Sequence, residues 1–337
     1  NIVNKEILTF LESFRFSGTI RGYAEGEAFF PHSPVLQVEG TFAEAYILET
    51  YLLSILNFDS AVASAASRMT SAAGTRPCLE MGSRRTHERA AVSAARAAVI
   101  AGFAGTSNLE AGRRYGLHTI GTSAHAFTLL HDNEREAFEA QLRSLGARTT
   151  LLVDTYDVDN AVRLGVELAG EELGGVRLDS GDLVATAGRV RELLDSLGNT
   201  HTKITVTSDL DEYAIESLAA APVDSYGVGT RLVTGSGAPT SSMVYKVIAR
   251  ENSAGEMQPV AKASAGKASM GGAKLAARRL NGMGIASAEV LGTHDDPALH
   301  EDTRPLLVDF VREGELLPGF TGEEGVRRAT ARHAASL

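Results

Sequence analysis

Residues 175–183 read GVRLDSGDL. Side chains on a strand alternate between its faces, so an extended 176–179 places Arg177 and Asp179 on one face and Val176 and Leu178 on the other. Ser180, Gly181 and Asp182 then supply a turn. Asp182 suits a helix N-cap, Leu183, Ala187, Val190, Leu194 and Leu197 fall on one helical face, and Gly198 suits the position just past the last turn. The stretch is one strand-turn-helix unit with a cation and a carboxylate side by side on the strand.

The unit recurs. Between about 77 and 250, short β-branched runs that end in polar residues alternate with helical text; the clearest are TTLLVDTYD, GVRLDSGD, KITVTSD and DSYGVGT. The strand ends Asp154, Asp179 and Asp209 are one βα unit apart, which predicts an α/β fold with parallel strands and crossover helices. A closed barrel is favoured over an open doubly wound sheet. Polar clusters follow nearly every strand, as on the active face of a barrel, whereas an open sheet concentrates them at one crevice.

The flanking regions differ from this pattern. Within 1–76, residues 16–40 read as short strands, and TFAEAYILETYLLSILNF reads as a helix with Thr41 at the N-cap and Glu44 three residues on. Within 251–337, the stretch KASAGKASMGGAKLAARR carries Lys262, Lys267, Lys274, Arg278 and Arg279 without an acid, which fits either a solvated surface or a phosphate-contacting loop. The closing RHAASL is expected to fray. The expected division is therefore 1–76, 77–250 and 251–337.

Composition narrows the function. The 337 residues carry a formal net charge of -10, so a broad nucleic-acid surface is not expected and any anionic ligand must be held by local donors. The single cysteine, Cys78, excludes an internal disulfide and a thiolate cluster, fits a reducing cytoplasm, and reads as a small buried hydrophobe. No run approaches the roughly 18 apolar residues that cross a bilayer, and the start, NIVNKEILTF, has no leader pattern. Neither a membrane nor an export signal is read, and no residue is assigned as a metal ligand.

The strand ends offer Asp154 and Asp157, then Arg177, Asp179 and Asp182, then Ser208 and Asp209, then Gly227, Gly229 and Thr230. A sugar phosphate asks for that mixture: ribose hydroxyls donate to carboxylates, and phosphate oxygens accept from arginine and from backbone N–H groups at glycine. Helix capping alone accounts for Asp182 and Ser208, but not for Arg177, which precedes the cap on the strand. His125, after GTSA, occupies another expected strand end. His87, His118 and His131 read as structural or surface residues.

The ordered segments EMGSRRTHE, GTSNLEAG, GTSAHAF, VDTYDV, GVRLDSGDL, TSDLDEY, YGVGTRLVTGSGAPT and KASMGGAK, spread over about 34–279, closely resemble nicotinate phosphoribosyltransferase. The resemblance implies an irregular, TIM-like α/β barrel of the type II phosphoribosyltransferases, with a smaller α+β domain from the chain ends. It implies a homodimer with shared active sites in the cytoplasm. The implied reaction joins nicotinate to phosphoribosyl pyrophosphate, with ATP as co-substrate and Mg²⁺ on the departing pyrophosphate.

Carried over by residue, His125 matches the histidine phosphorylated by ATP, and neutral imidazole is a competent nucleophile near pH 7. Arg177 and Asp179 match phosphate and ribose contacts. Asp209 matches a sugar contact, and Gly229 and Thr230 match a backbone phosphate cradle. Asp154, Ser208, Gly227 and, in GTSAHAF, Thr122 complete the substrate-binding set. Arg84, with Arg85 beside it, matches the pyridine end. Ser107 stands where the nicotinamide-using relative has a carboxylate, which would repel nicotinate.

Two departures stand out. Met81 occupies the place of an aromatic ring that stacks on the pyridine, and a thioether packs there less specifically. The family's N-terminal segment, with a tyrosine that reaches the partner subunit's pyridine, is read as lying before Asn1. The alternatives are a nicotinamide or quinolinate phosphoribosyltransferase, or a catalytically silent sugar-phosphate-binding subunit.

Overall fold

The computed structural model describes residues 3–263, 270–293, 296, 299 and 302–336. Lys267 of the basic stretch and Leu337 lie outside them. The chain divides into two compact units, 1–56 with 242–337, and 57–241.

In chain order the strands are β1 (Thr19–Tyr23), β2 (Leu36–Glu39), β3 (Cys78–Glu80), β4 (Gly105–Thr106), β5 (Thr150–Leu152), β6 (Gly175–Leu178), β7 (Lys203–Ser208), β8 (Ser225–Val228), β9 (Ala249–Glu251), β10 (Met257–Pro259), β11 (Leu275–Leu280), β12 (Ala286–Gly292), β13 (Thr303–Pro305), β14 (Leu307–Arg312) and β15 (Glu315–Leu316). The first unit holds antiparallel sheets of order β15-β14-β1-β2, β12-β11-β13 and β10-β9. The Thr41 cap forms: Glu44 accepts from the Thr41 amide at 3.0 Å and its hydroxyl at 2.7 Å. Those bonds, with others from Ser17, hold the Glu44 carboxyl at about 2, below its usual range.

Two expectations for the chain end change. Arg278 is neither a solvated residue nor a free phosphate contact, because it is buried, pairs with Glu289 at 3.4 Å and donates to the carbonyl of Ala28 at 2.6 Å. Lys274 donates to the carbonyl of Met270 at 2.6 Å. RHAAS does not fray; it closes the helix Gly322–Ser336, whose Arg332 donates to the carbonyl of Glu25 at 2.6 Å.

The second unit is α/β, as read from the alternation. Its six strands form a curled, fully parallel sheet in the order β4-β3-β8-β7-β6-β5. β8, last in sequence, lies beside β3, the first. The two sheet faces separate as the alternation requires: Val176, Leu178, Ile204, Val206, Tyr226 and Val228 are buried against helices that supply Ala94, Ala98, Ala187, Val190 and Leu194. Each such aliphatic side chain contributes about 1.5–3 kcal/mol by leaving water. The opposite face carries Arg177, Thr205, Thr207, Ser225 and Gly227, and Thr205 and Ser225 share a hydrogen bond of 2.8 Å. Asp182 caps the helix Leu183–Ser196 by accepting from the Ala185 amide. Cys78 is buried, and burial pushes its thiol up to about 12, which leaves it an inert core residue.

Candidate active site at the strand ends

β6 delivers Arg177 and Asp179 two residues apart, and Arg177 Nη2 donates to Asp179 Oδ1 at 2.8 Å. The guanidinium is nearly saturated. Nε donates to Thr207 Oγ1 at 2.8 Å, and Nη1 to Thr122 Oγ1 at 2.7 Å and to the Ser123 carbonyl at 3.3 Å. Of the five N–H groups of an arginine, one on Nη2 remains. Asp179 Oδ1 also accepts from the Thr207 hydroxyl, and Oδ2 has no hydrogen-bond partner among the described residues. Burial alone would push the Asp179 carboxyl up; the hydrogen bonds from Thr207 and Arg177, and the charge of Arg177, outweigh it and hold the carboxyl below its usual range.

Asp154, after β5, joins this cluster to the histidine. Its Oδ1 lies 3.0 Å from His125 Nε2, while Oδ2 accepts from the Asp179 amide at 2.9 Å and the Ser180 hydroxyl at 2.7 Å. The Asp154 side chain is 4% exposed and that of His125 is 39% exposed, so a fixed carboxylate orients a solvent-facing ring. His125 opens the helix His125–Leu129 and does not end a strand. Before it, 117–120 form no strand, and Thr119 makes a single parallel bridge to Thr106.

The remaining predicted residues sit at neighbouring strand ends. Gly227 is packed beneath Met81: a Cβ there would meet Thr207 Cγ2 and lie 2.9 Å from Met81 Sδ. Gly229 precedes the helix Thr230–Val233. Ser208 is exposed with φ of 150°, a conformation rare for a residue with a side chain, and Asp211 rather than Ser208 caps the helix Glu212–Ser217. Asp209 is exposed and has no side-chain partner among the described residues, so it caps nothing. Arg84 and Arg85 lie in the 3-10 turn Ser83–Arg85, both exposed and likewise without a partner.

His125, Asp154, Arg177, Asp179 and Thr122 are thus joined by direct bonds. Arg84, Arg85, Ser107, Ser208, Asp209, Gly229 and Thr230 lie at strand ends outside that network. Sequence reasoning passed over Thr207 and Glu80. The signal for Thr207 was available: with Thr205 it repeats the i, i+2 polar pattern of Arg177 and Asp179. Glu80 stood unremarked in EMGSRR. His87 and His131 are structural as read; His87 accepts from the Arg89 amide as an N-cap, and His131 Nδ1 lies 2.8 Å from the Phe127 carbonyl.

The parallel sheet and these strand-end groups define an α/β protein with acceptors for hydroxyl groups, an oriented histidine and free guanidinium groups for an anion. A family model described as the nicotinate phosphoribosyltransferase family matches residues 77–279, and one described as the N-terminal domain of nicotinate phosphoribosyltransferase matches residues 1–57. The nicotinate phosphoribosyltransferase pncB1 of Mycobacterium tuberculosis is 55% identical over 315 residues, 91% of this chain and 69% of that protein. The chain belongs to the nicotinate phosphoribosyltransferase family. A solved structure titled nicotinate-nucleotide pyrophosphorylase from Pyrococcus furiosus matches with a TM-score of 0.82 and 27% identity, covering 98% of this chain and 84% of that one. The human nicotinic acid phosphoribosyltransferase structure shares the fold, with a TM-score of 0.76 at 24% identity over 99% of this chain and 79% of that one.

Proposed function

We propose that the chain joins nicotinate to the phosphoribosyl group of phosphoribosyl pyrophosphate, releasing nicotinate mononucleotide and pyrophosphate in NAD salvage, with ATP hydrolysed through a phosphohistidine on His125. Family membership at 55% identity supports the reaction. The residue-level reading rests on the shared carboxylate of Asp154, which holds the His125 ring with one oxygen and the Asp179 turn with the other.

A carboxylate only accepts, so Nε2 of His125 carries the proton and Nδ1 the lone pair. Attack of Nδ1 on the γ-phosphorus of ATP forms the N–P bond and releases ADP; the positive ring that results keeps its Nε2 proton against Asp154. Water then takes the phosphoryl group and restores the histidine. In the phosphoribosyl step the anomeric C–O bond to pyrophosphate breaks as the pyridine nitrogen bonds to that carbon, through an oxocarbenium-like centre. Positioning and charge carry this step. Asp179 Oδ2 accepts from a ribose hydroxyl, the last Arg177 N–H and the backbone at Gly229 and Thr230 face phosphate, and Ser208 and Asp209 face the sugar; Gly227, paired on both sides within β8, serves by its small size instead. Arg84, with Arg85, pairs with the nicotinate carboxylate beside the neutral Ser107.

No three His, Cys, Asp or Glu side chains gather as metal ligands among the described residues. Mg²⁺ brought in on the diphosphate would be held on the protein side by one or two carboxylates, and the exposed Asp209 is available for it. Its chemistry there would be to neutralise charge on the departing pyrophosphate.

We read the curled sheet as the main part of an irregular TIM-like barrel within 57–241, with 1–56 and 242–337 forming the smaller α+β domain, so the expected bounds at 76 and 250 shift to the observed division. The working form in this reading is a cytoplasmic homodimer with shared sites. Incubation with ATP, Mg²⁺, nicotinate and phosphoribosyl pyrophosphate is expected to yield nicotinate mononucleotide. Product with nicotinamide or quinolinate but not nicotinate would reassign the acceptor; ligand binding without turnover would support the silent subunit.

A further inference from the structure

The turns at the ends of β3 and β4 are tied together by a residue that meets no solvent. Glu80, the last residue of β3, is 0% exposed. One carboxyl oxygen accepts from the Gly82 amide, at the entry to the turn that carries Arg84 and Arg85. The other is bonded to Thr106 Oγ1, at the end of β4. The Glu80 carbonyl accepts from the Ser107 amide at 2.8 Å. Thr106 Oγ1 in turn accepts from the Asn108 amide at 2.9 Å, and Asn108 Nδ2 donates to Ser83 Oγ at 3.0 Å, closing a ring of bonds between the two turns. The sheet contributes only two registered residue pairs between β3 and β4, so these side-chain bonds set how the turns face each other.

A buried carboxyl is an unusual choice for a structural tie, since a neutral side chain would avoid its desolvation. Its two oxygens accept from opposite sides at once, which a hydroxyl cannot do at this span. Burial pushes the Glu80 carboxyl above its usual range despite the bonds from Thr106 and Gly82. Gly82 itself is hemmed in, with the Gly229 carbonyl 3.1 Å from where a Cβ would stand.

We propose that Glu80 is the positioning residue of the acceptor end, coupling the turn that carries Arg84 to the turn that carries Ser107 so that both address one pyridine carboxylate. This rests on the acceptor reading given above for Arg84 and Ser107. Glu80→Gln keeps an acceptor for Gly82 and sets an amide against the Thr106 hydroxyl, so it preserves the coupling. Glu80→Ala removes both arms, and Thr106→Val removes one without changing volume.

Steady-state kinetics and backbone hydrogen exchange on the full chain test the proposal. The two disruptive variants are expected to raise KM for nicotinate by roughly 10-fold while KM for phosphoribosyl pyrophosphate stays within about 2-fold, and Glu80→Gln is expected to stay near wild type. Exchange at Gly82 and Ser107 is expected to quicken together in Thr106→Val. Equal changes in both KM values, or an unchanged nicotinate KM beside a lowered Tm, would reduce Glu80 to a fold residue and overturn the proposal. Wild-type protein that makes no product refutes the reaction instead; exchange at Gly82 and Ser107 that stays independent in Thr106→Val then refutes the coupling by itself.

Discussion

Asp154 Oδ1 stands 3.0 Å from Nε2 of His125, and Oδ2 of the same carboxylate holds the Asp179 backbone at 2.9 Å. One side chain therefore links the proposed phosphoryl acceptor to the proposed ribose acceptor through its two oxygens. Asp154→Asn weakens the charge that stabilises the phosphorylated ring. ATP hydrolysis is expected to fall by roughly 10²-fold with the nicotinate KM little changed, measured by ADP release.

Arg177→Lys tests the clamp. A lysine ammonium cannot reproduce the planar set of bonds to Thr207, Thr122, Ser123 and Asp179. Thr122 and Asp179 lose their common anchor, and a loss of about 1–3 kcal/mol in urea unfolding is expected as these part-buried groups lose hydrogen bonds to a charged partner. The kcat/KM for phosphoribosyl pyrophosphate is expected to fall more than that for nicotinate.

Gly227→Ala puts a methyl against Thr207 Cγ2 and 2.9 Å from Met81 Sδ. Relief requires Thr207 to rotate away from Arg177 and Met81 to shift as well. The expected cost is about 1–3 kcal/mol of stability, as for overpacking a filled site, with reduced turnover. Adding Met81→Ala should recover only part of the stability, because the contact with Thr207 remains, and thermal unfolding of the double variant checks this.

Asp179 gives stability a defined pH dependence. Its folded-state carboxyl titrates below the unfolded value, so its contribution is fully present above the unfolded pKa of about 3.9 and fades as pH falls through the folded value. Comparing wild type with Asp179→Asn by urea unfolding across pH 2–7 should show a gap that is constant near neutrality and closes in acid.

The strands that carry the site were legible where alternation was strong. GVRL and KITV place aliphatic residues on one face and polar ones on the other, and the α/β class follows. β4 spans only Gly105–Thr106, too short for any period, and the 117–120 run, apolar in sequence, makes one bridge. Thr207 was legible only through its i, i+2 pattern with Thr205, a weak signal because threonine is an ordinary strand residue. Glu80 was hidden because a glutamate beside GSRR reads as solvated, and its burial is created by β8 packing beside β3 through a long-range parallel pairing. The tail helix Gly322–Ser336 escaped notice because its anchors, Glu25 and Glu27, lie some 300 residues earlier.

The central claim is that the ends of β3 to β8 surround one ligand. A crystal structure with nicotinate mononucleotide bound tests it most directly. A ribose hydroxyl is expected within hydrogen-bonding distance of Asp179 Oδ2, with the pyridine carboxylate on the Arg84 side of Met81. A nucleotide bound away from Asp179, with these side chains facing only solvent, would contradict it.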